Sequence, residues 1–213
     1  MTTGNTYIFY HIHCNQLTLF TLREQIAKII YSGLYDKITK IYCFITGQEP
    51  FVNDCVRSIK TAGKKFHIVK YAYNDVTCER YTLLSIKEYI LPQDKILYIH
   101  TKGVTKPFDE NVYDWRALIE YQLIAKHEKC IELLGSYDIV GVNYRAAPQP
   151  HYSGNYWWTT GTYFLKLPTI IGDGYADPEM YILSAEPNWH CIYDSGISNH
   201  YAEEYPSSKY IDV

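Results

Sequence analysis

Polar residues that could bind or activate a substrate follow four short apolar segments of the chain. These ends are residues 11–14, 46–47, 73–75 and 100–103. Histidine and aspartate can transfer protons, and the ammonium of Lys102 attracts anions. If the segments are parallel strands of one sheet, these residues gather at one edge, where ligands bind in open α/β sheets.

Several common catalytic patterns are absent from the sequence. There is no G-x-G-x-x-G loop, no P-loop, no G-x-S-x-G turn and no H-E-x-x-H motif. The six cysteines stand singly and form no C-x-x-C pair, so neither a zinc site nor a disulfide framework is indicated. The sequence therefore disfavours a dinucleotide-dependent enzyme, a P-loop enzyme and an α/β-hydrolase.

The elements that must position these residues alternate regularly. Strand patterns at 6–12, 40–47, 66–73, 95–103 and 137–144 are separated by helical patterns. This alternation is typical of an α/β fold with a central, mostly parallel sheet flanked by helices. We expect the functional residues at the carboxyl ends of the strands.

Local signals predict where individual elements begin and end. Thr21 and Glu24 form an S/T-x-x-E capping box, which predicts the start of the first helix. A long helix is predicted over residues 111–134, and the segment 159–168 has the pattern of a further strand.

The composition excludes two broad classes of protein. The 213 residues are 47% apolar and carry a net charge of −3, which is unlike the basic surface of a nucleic-acid binder. No apolar run reaches the 18 residues of a membrane span, and the N-terminus lacks a secretory signal pattern. We therefore expect a reducing, cytoplasmic location. The 23 tyrosines are amphipathic aromatics that suit sugar and nucleoside surfaces.

The regular alternation stops after Arg145. The following stretch is loop-like, with Pro148 and Pro150, and strand and helix signals return only in short pieces. We predict a single domain over residues 1–213. It comprises a nucleotide-binding half at 1–145, an acceptor-facing half at 146–205 and a polar tail or linker at 206–213.

Four motifs resemble one enzyme family. They are YIHTKG at 98–103, DWR at 114–116, HYSGNYWW at 151–158 and PEMY at 178–181. In these motifs the chain resembles GT-A-type glycosyltransferases related to rhamnan-synthesis and capsular-polysaccharide enzymes, including glycosyltransferase domains of larger proteins encoded by chlorella viruses. The resemblance extends over nearly the whole chain.

The resemblance implies a GT-A-like fold and a glycosyltransferase activity. The donor would be a nucleotide sugar, such as a UDP-hexose or UDP-deoxyhexose, and the acceptor a glycan or glycoprotein. A viral capsid or surface glycan is the implied product, made in the host cytoplasm if the protein is viral. Retention of configuration is weakly favoured, by analogy with GT-A enzymes that carry a late histidine. Further domains of a longer chain are also implied.

The chain departs from the family pattern at the metal site. Most GT-A enzymes hold Mg²⁺ or Mn²⁺ with a D-x-D motif after the fourth strand, where this chain has His100-Thr101-Lys102. A requirement for Mg²⁺ or Mn²⁺ therefore stays open, and no metal ligand is assigned. At about 4 Å and an effective dielectric of about 20, one charge pair contributes about 4 kcal/mol before desolvation. Lys102 is predicted to stabilise the departing diphosphate, although a lysine beside Gly103 can also be an exposed turn residue.

The nucleotide site is predicted from the strand ends together with a late histidine. Backbone groups after the first strand would read the base, and carboxylates after the third strand would accept hydrogen bonds from ribose. The predicted nucleotide-binding residues are His11, Ile12, His13, Thr46, Gly47, Asp75, Glu79, Arg80, His100, Thr101, Lys102 and His200. A solvated helix turn at 79–80 and a helix cap at His200 are the structural alternatives.

The HYSGNYWW loop supplies predicted sugar contacts. Its glycine permits close backbone approach, its asparagine offers a donor and an acceptor, and a tryptophan can cover pyranose C–H groups. Because side chains alternate along a strand, one of the two adjacent tryptophans is expected to face the site. The predicted sugar- or acceptor-binding residues are Trp115, Arg116, Ser153, Gly154, Asn155, Trp157 and Trp158.

Carboxylates in the second half are the candidates for acid–base chemistry. Glu179 matches the family's acidic position and is predicted to bind the acceptor or act as its base. Asp194 is the second candidate, although an aspartate before Ser-Gly more often forms a turn. Together with Lys102, these are the predicted catalytic residues.

Two other functions stay open. A sugar nucleotidyltransferase can have a similar sheet, but it usually carries a Gly-rich, basic loop after the first strand, where this chain reads HCNQLTLF. A non-catalytic glycan-binding module would use the aromatic surface and would bind no nucleotide.

Overall fold

One central sheet organises the part of the chain that the computed structural model describes, residues 4–73, 79–106 and 108–211. The strands are β1 (Thr6–Cys14), β2 (Lys40–Gly47), β3 (Phe66–Tyr73), β4 (Lys95–His100), β5 (Ile139–Val142), β6 (Tyr144–Arg145), β7 (His151–Tyr152), β8 (Trp157–Thr160) and β9 (Trp189–Tyr193). Among these described residues, seven strands form the sheet in the order β3-β2-β1-β4-β8-β5-β9, and β6 pairs with β7. Within the seven-stranded sheet, β8 runs antiparallel to β4 and β5, and the other pairs are parallel, whereas β6 and β7 pair antiparallel. The predicted mixed, mostly parallel α/β sheet is confirmed.

Helices cover both faces of this sheet. They are α1 (Thr18–Tyr31), α2 (Leu34–Lys37), α3 (Phe51–Ala62), α4 (Arg80–Ser85), α5 (Glu110–Glu120), α6 (His127–Leu133), α7 (Gly161–Phe164) and α8 (Asp177–Met180). Short 3₁₀ turns occupy Ile86–Glu88, Tyr181–Leu183 and Ser207–Lys209. None of the helices in the described ranges is both long and apolar enough to cross a bilayer.

The sheet separates two apolar cores. Ile8, Tyr10 and Trp158 pack on one side, and Phe9 and Trp157 pack on the other. Adjacent residues enter different cores because side chains alternate across a strand. Both faces are apolar, which explains why β1 and β4 read as nearly continuous hydrophobic runs.

The first helix begins earlier than its capping signal predicts. Helix α1 starts at Thr18 and places Thr21 and Glu24 inside its first turns. Arg116 donates to the Thr21 hydroxyl at 3.2 Å and to the Glu24 carboxylate at 2.9 Å. The prediction of a capping box was wrong because Arg116, which is distant in the sequence, forms hydrogen bonds with both side chains.

The segment 159–168 is not a strand beyond its first two residues. The Thr160 hydroxyl accepts from the Tyr163 amide and caps helix α7, so the chain turns into a helix. The predicted helix over 111–134 is present but divided, because π-helical residues Tyr121–Ala125 separate α5 from α6.

Residues 206–211 are not a free tail. Tyr210 is buried with Leu118, Ile197 and Tyr205 in a small apolar cluster. The chain therefore returns to pack against α5 in the region predicted as a tail or linker.

Candidate active site

A cleft of about 470 Å³ opens at the carboxyl ends of β1 and β4. A volume of this order suits a small-molecule ligand. Residues of the cleft that the sequence predicts are His11, His13, Glu79, Arg80, His100, Thr101, Lys102, Trp115, Ser153, Gly154, Asn155, Glu179 and His200. The structure therefore gathers residues that are up to 189 positions apart in the chain.

Lys102 provides a buried cation in this cleft. It follows β4, and its ammonium lies 3.5 Å from the centroid of the Trp115 ring. Burial lowers the pKa of Lys102 to about 8, although the negative charges of Glu179 and Glu79 act in the opposite direction. The site thus holds a poorly solvated positive charge that a bound anion would stabilise.

Glu79 is held as a carboxylate close to this lysine. Its Oε2 accepts from the Tyr98 hydroxyl at 2.7 Å and from Asn155 Nδ2 at 2.6 Å, and its Oε1 lies 3.6 Å from His100 Nδ1. Burial alone would raise the pKa of Glu79, but the charges of His100, His11 and Lys102 and the Tyr98 hydrogen bond lower it overall. Because Oε2 of Glu79 already accepts two hydrogen bonds, only Oε1 remains for the predicted contact with ribose.

A strained turn joins Glu179 to His100. Gly154 has φ 100° and Asn155 has φ 53°, both in the left-handed region. The Gly154 amide donates to Glu179 Oε1 at 2.6 Å, and its carbonyl accepts from His100 Nε2 at 3.0 Å. A Cβ at position 154 would lie 2.5 Å from Ile119 Cδ1, so the turn requires glycine. Gly154 thus serves to fix two candidate side chains.

His200 lies against Trp115, with the ring centroids 5.2 Å apart and the planes 9° from parallel. Its Nε2 accepts from Asn143 Nδ2 at 3.2 Å and lies 2.9 Å from the Ser195 hydroxyl. Burial, with the positive charges of Arg145 and Lys102, lowers the pKa of His200 to about 4. At neutral pH it is therefore an uncharged imidazole with its proton on Nδ1.

The end of β1 contributes His11 and His13 to the cleft. His11 Nδ1 lies 2.9 Å from the Thr82 hydroxyl, and the His13 amide donates to the Thr101 hydroxyl at 2.9 Å. The buried side chain of Ile12 instead belongs to the apolar core. His11 and His13 thus line the cleft. Their contact with a nucleotide stays a prediction.

Thr46 and Gly47 do not line the cleft. A Cβ at Gly47, which has φ 126°, would lie 2.2 Å from the Cys14 carbonyl oxygen. The glycine is required by the close pairing of β2 with β1, so its predicted approach to a nucleotide is not supported. Asp75 lies outside the described residues.

Arg80 is engaged by a neighbouring loop. Its Nε donates to the Gly172 carbonyl at 2.7 Å, and its terminal nitrogen donates to the Gly174 carbonyl. These bonds favour a role in holding the loop over the predicted role in binding phosphate.

The predicted sugar contacts of four residues conflict with their burial. Trp115 is covered by Lys102 and His200, and Arg116 donates to the Lys102 carbonyl at 3.2 Å. Trp157 and Trp158 are fully buried in opposite cores because β8 is an interior strand with both faces covered. None of the four offers an open face to a sugar.

Asp194 lies away from the cleft. Its carboxylate pairs with Arg145 at 3.1 Å and accepts from the Gly196 amide at 2.9 Å. These bonds match the turn-forming alternative and do not support a catalytic role.

The cleft also contains residues that the sequence analysis did not select. They are Tyr175 and Tyr201, and Asn143, which does not line the cleft, hydrogen-bonds to His200. The abundance of tyrosine was the available signal, but composition does not say which tyrosines are exposed.

The donor set does not fit the divalent cation expected from a D-x-D motif. Among the residues that the structure describes, no three His, Cys, Asp or Glu side chains are grouped as metal ligands. Lys102 places an ammonium where the second aspartate would be, and like charges repel.

A second cavity of about 370 Å³ lies near the amino end of β4. Its carboxylates already form hydrogen bonds that hold the backbone, since Asp94 accepts from the Asn5 and Leu91 amides and Asp138 accepts from the Asn188 amide. The carboxyl-end cleft is therefore the better candidate for an active site.

Two solved structures resemble this fold. One is 4-diphosphocytidyl-2C-methyl-D-erythritol synthase from Anaerococcus prevotii, with a TM-score of 0.52 and 9% identity over 90% of each chain. The other is Rv0371c from Mycobacterium tuberculosis, with a TM-score of 0.48 and 10% identity over 91% of this chain and 90% of that one. At these identities the first similarity shows a shared fold.

The sequence comparisons place the chain in a family. No curated protein matches it. Residues 9–170, about three quarters of the chain, match the family described as "Domain of unknown function (DUF8361)". The chain belongs to the DUF8361 family.

Proposed function

We propose that the cleft binds a nucleotide-activated sugar and transfers the sugar to a glycan hydroxyl. The observation that carries this proposal is the buried ammonium of Lys102, which follows β4 near the carboxylates of Glu79 and Glu179. A nucleoside diphosphate leaving group needs fixed positive charge, and an acceptor hydroxyl needs a carboxylate that can receive its proton.

The transfer would divide the work between two side chains. The bond between the anomeric carbon and the diphosphate oxygen breaks, and Lys102 stabilises the charge that grows on that oxygen. The acceptor oxygen bonds to the anomeric carbon, and its proton passes to Glu179 in an inverting reaction or to the departing phosphate in a retaining one. His200 can donate only as a neutral imidazole, because its pKa is about 4.

A sugar nucleotidyltransferase is the second candidate. The fold similarity favours it, since the synthase from Anaerococcus prevotii is named for a product in which cytidine is joined through a diphosphate to methylerythritol. On fold comparison alone, this candidate is better supported than a glycosyltransferase.

The β1–α1 turn weighs against nucleotidyl transfer. The Asn15 side chain accepts from the Leu17 amide at 2.9 Å, the Thr18 hydroxyl accepts from the Asn15 amide at 2.9 Å, and Asn15 Nδ2 donates to the Val104 carbonyl. This turn contains neither glycine nor a basic residue, and its Asn15 and Thr18 side chains are already hydrogen-bonded. The Asn15, Leu17 and Thr18 amides are thus already bonded, unlike the open amides with which Gly-rich loops hold phosphates.

A panel of nucleotides and nucleotide sugars, tested with EDTA and with Mn²⁺, separates the candidates. UDP or another nucleoside diphosphate should raise the melting temperature of the protein, as any ligand of the native state does. Release of a nucleoside diphosphate from a nucleotide sugar supports glycosyl transfer. Release of pyrophosphate from a nucleoside triphosphate and a sugar phosphate supports nucleotidyl transfer. A full panel without any shift overturns both and favours the glycan-binding module.

A further inference from the structure

Two tyrosines at the mouth of the cleft are exposed to solvent. Tyr175 is 95% exposed and Tyr201 is 50% exposed, and both line the opening above Glu179. Exposed aromatic rings that border a polar cleft are common features of binding surfaces. They contrast with the tryptophans of the chain that the sequence analysis assigned to sugar binding, whose rings are buried.

The loop that carries Tyr175 is anchored on two sides. Arg80 donates to the carbonyls of Gly172 and Gly174, and the Asp177 carboxylate accepts from the Gly174 amide at 2.8 Å. These hydrogen bonds therefore fix the backbone on either side of Tyr175.

Tyr201 is supported from the other side of the opening. Its ring meets the edge of Trp115 at a centroid distance of 5.2 Å, and its carbonyl accepts from Asn111 Nδ2 at 3.2 Å. Burial, with Tyr175 and Glu179 nearby, raises the pKa of Tyr201, so its hydroxyl stays neutral near pH 7. Glu179 lines the same cleft as the two rings.

We infer that Tyr175 and Tyr201 form the subsite for the acceptor sugar, which presents the apolar face of a pyranose to the rings and a hydroxyl to Glu179. This inference rests on the proposed function. Phosphates bound at Lys102 would direct the nucleoside towards the histidines of β1, whereas the tyrosines line the same cleft as the carboxylate that the acceptor must reach. A pyranose has both the C–H face that stacks on tyrosine and the hydroxyls that a carboxylate accepts.

The test compares tyrosine variants by saturation-transfer NMR with a panel of simple methyl pyranosides. Tyr175→Ala and Tyr201→Ala should each weaken binding of the pyranoside by about fivefold or more. Tyr31→Ala is the matched control, because Tyr31 is 88% exposed on α1, away from the cleft. Thermal shift by UDP is measured on every variant.

The outcomes separate the subsite from the proposed function. Weaker pyranoside binding with an unchanged UDP shift supports the subsite. Equal pyranoside binding by all variants, or none by the unmodified protein, overturns it while the UDP shift still supports a nucleotide site. Loss of the UDP shift in Tyr175→Ala or Tyr201→Ala also overturns it, because the rings would then hold the nucleoside. Absence of any nucleotide shift in the unmodified protein is the failure of the proposed function itself.

Discussion

Lys102 is the residue on which the proposed chemistry depends. Its stem is buried and its ammonium lies on the face of Trp115, so the positive charge is poorly solvated. A bound diphosphate would supply the counter-charge, and the preorganised position of the ammonium would cost no rearrangement during transfer.

Replacing this charge tests its role directly. Lys102→Met keeps an apolar stem beside Trp115 but removes the ammonium, and we expect turnover of the nucleotide sugar to fall by about 10²-fold or more. Lys60→Met, at an exposed position on α3, is the control and should leave turnover unchanged. A Lys102→Met protein with the turnover of the unmodified chain would remove this lysine from the mechanism.

The lowered pKa of Lys102 predicts a pH dependence of anion binding. The lysine is charged below about pH 8 and neutral above it. The affinity for UDP, measured by calorimetry, should therefore fall by about tenfold per pH unit well above pH 8. The decline should be absent in Lys102→Met, and its persistence there would assign it to another group.

The same shift has the opposite effect on stability. Between about pH 8 and the ordinary lysine pKa of 10.5, the unfolded chain binds a proton that the folded chain does not. The contribution of Lys102 to the free energy of unfolding therefore rises with pH across that window.

At the scale of elements, a buried polar network joins α1 to α5 beneath the site. Glu120 accepts from Gln25 Nε2 at 2.7 Å and pairs with Lys28 at 2.5 Å, while Arg116 lies 3.5 Å away. Arg116 also donates to the carbonyl of Lys102. The network therefore fixes the backbone from which the cleft lysine projects.

Arg116→Met should disturb both stability and binding. It leaves the buried carboxylate of Glu120 with one cation fewer, and the cost of breaking a buried pair is about 3 kcal/mol. The melting temperature, measured by calorimetry, should therefore fall by about 6–12 °C. UDP affinity should also weaken because the Lys102 carbonyl loses a donor. Arg57→Met, at a surface ion pair on α3 with a 77% exposed arginine, should change neither quantity measurably.

At the scale of the whole molecule, residues 206–211 pack onto the rest of the fold. Tyr210 is buried against Leu118 and Tyr205, so residues 206–211 extend a core that begins in α5. A linker would have no such contacts.

Removing this ring tests whether the segment is part of the domain. Tyr210→Ala deletes a buried aromatic, which costs about 3 kcal/mol, and should lower the melting temperature by about 6–12 °C. Lys209→Ala, at the exposed neighbouring position, is the control. Equal melting of the two variants would mean that the segment does not contribute to the core.

The sequence predicts features set by neighbouring residues better than features set by contacts between residues that are distant in the chain. The strand bounds 40–47 and 66–73 match the sequence patterns, and His100 and Lys102 lie in the cleft as expected from the strand ends. Glu179, which was expected from the family resemblance, lines the same cleft. One local signal was wrong because its side chains bond to a residue that is distant in the chain. Thr21 and Glu24 bind Arg116 in place of capping their own helix.

The sequence by itself determined the α/β order and the strand ends at which the cleft lies, because hydrophobic period and helix or strand breakers are local properties. Alternation also placed Trp157 and Trp158 on opposite faces of β8. Only the tertiary structure decided that both faces are covered, and that Tyr175 and Tyr201 are exposed instead. Exposure depends on which distant elements pack over a residue, and a one-dimensional pattern does not contain that information.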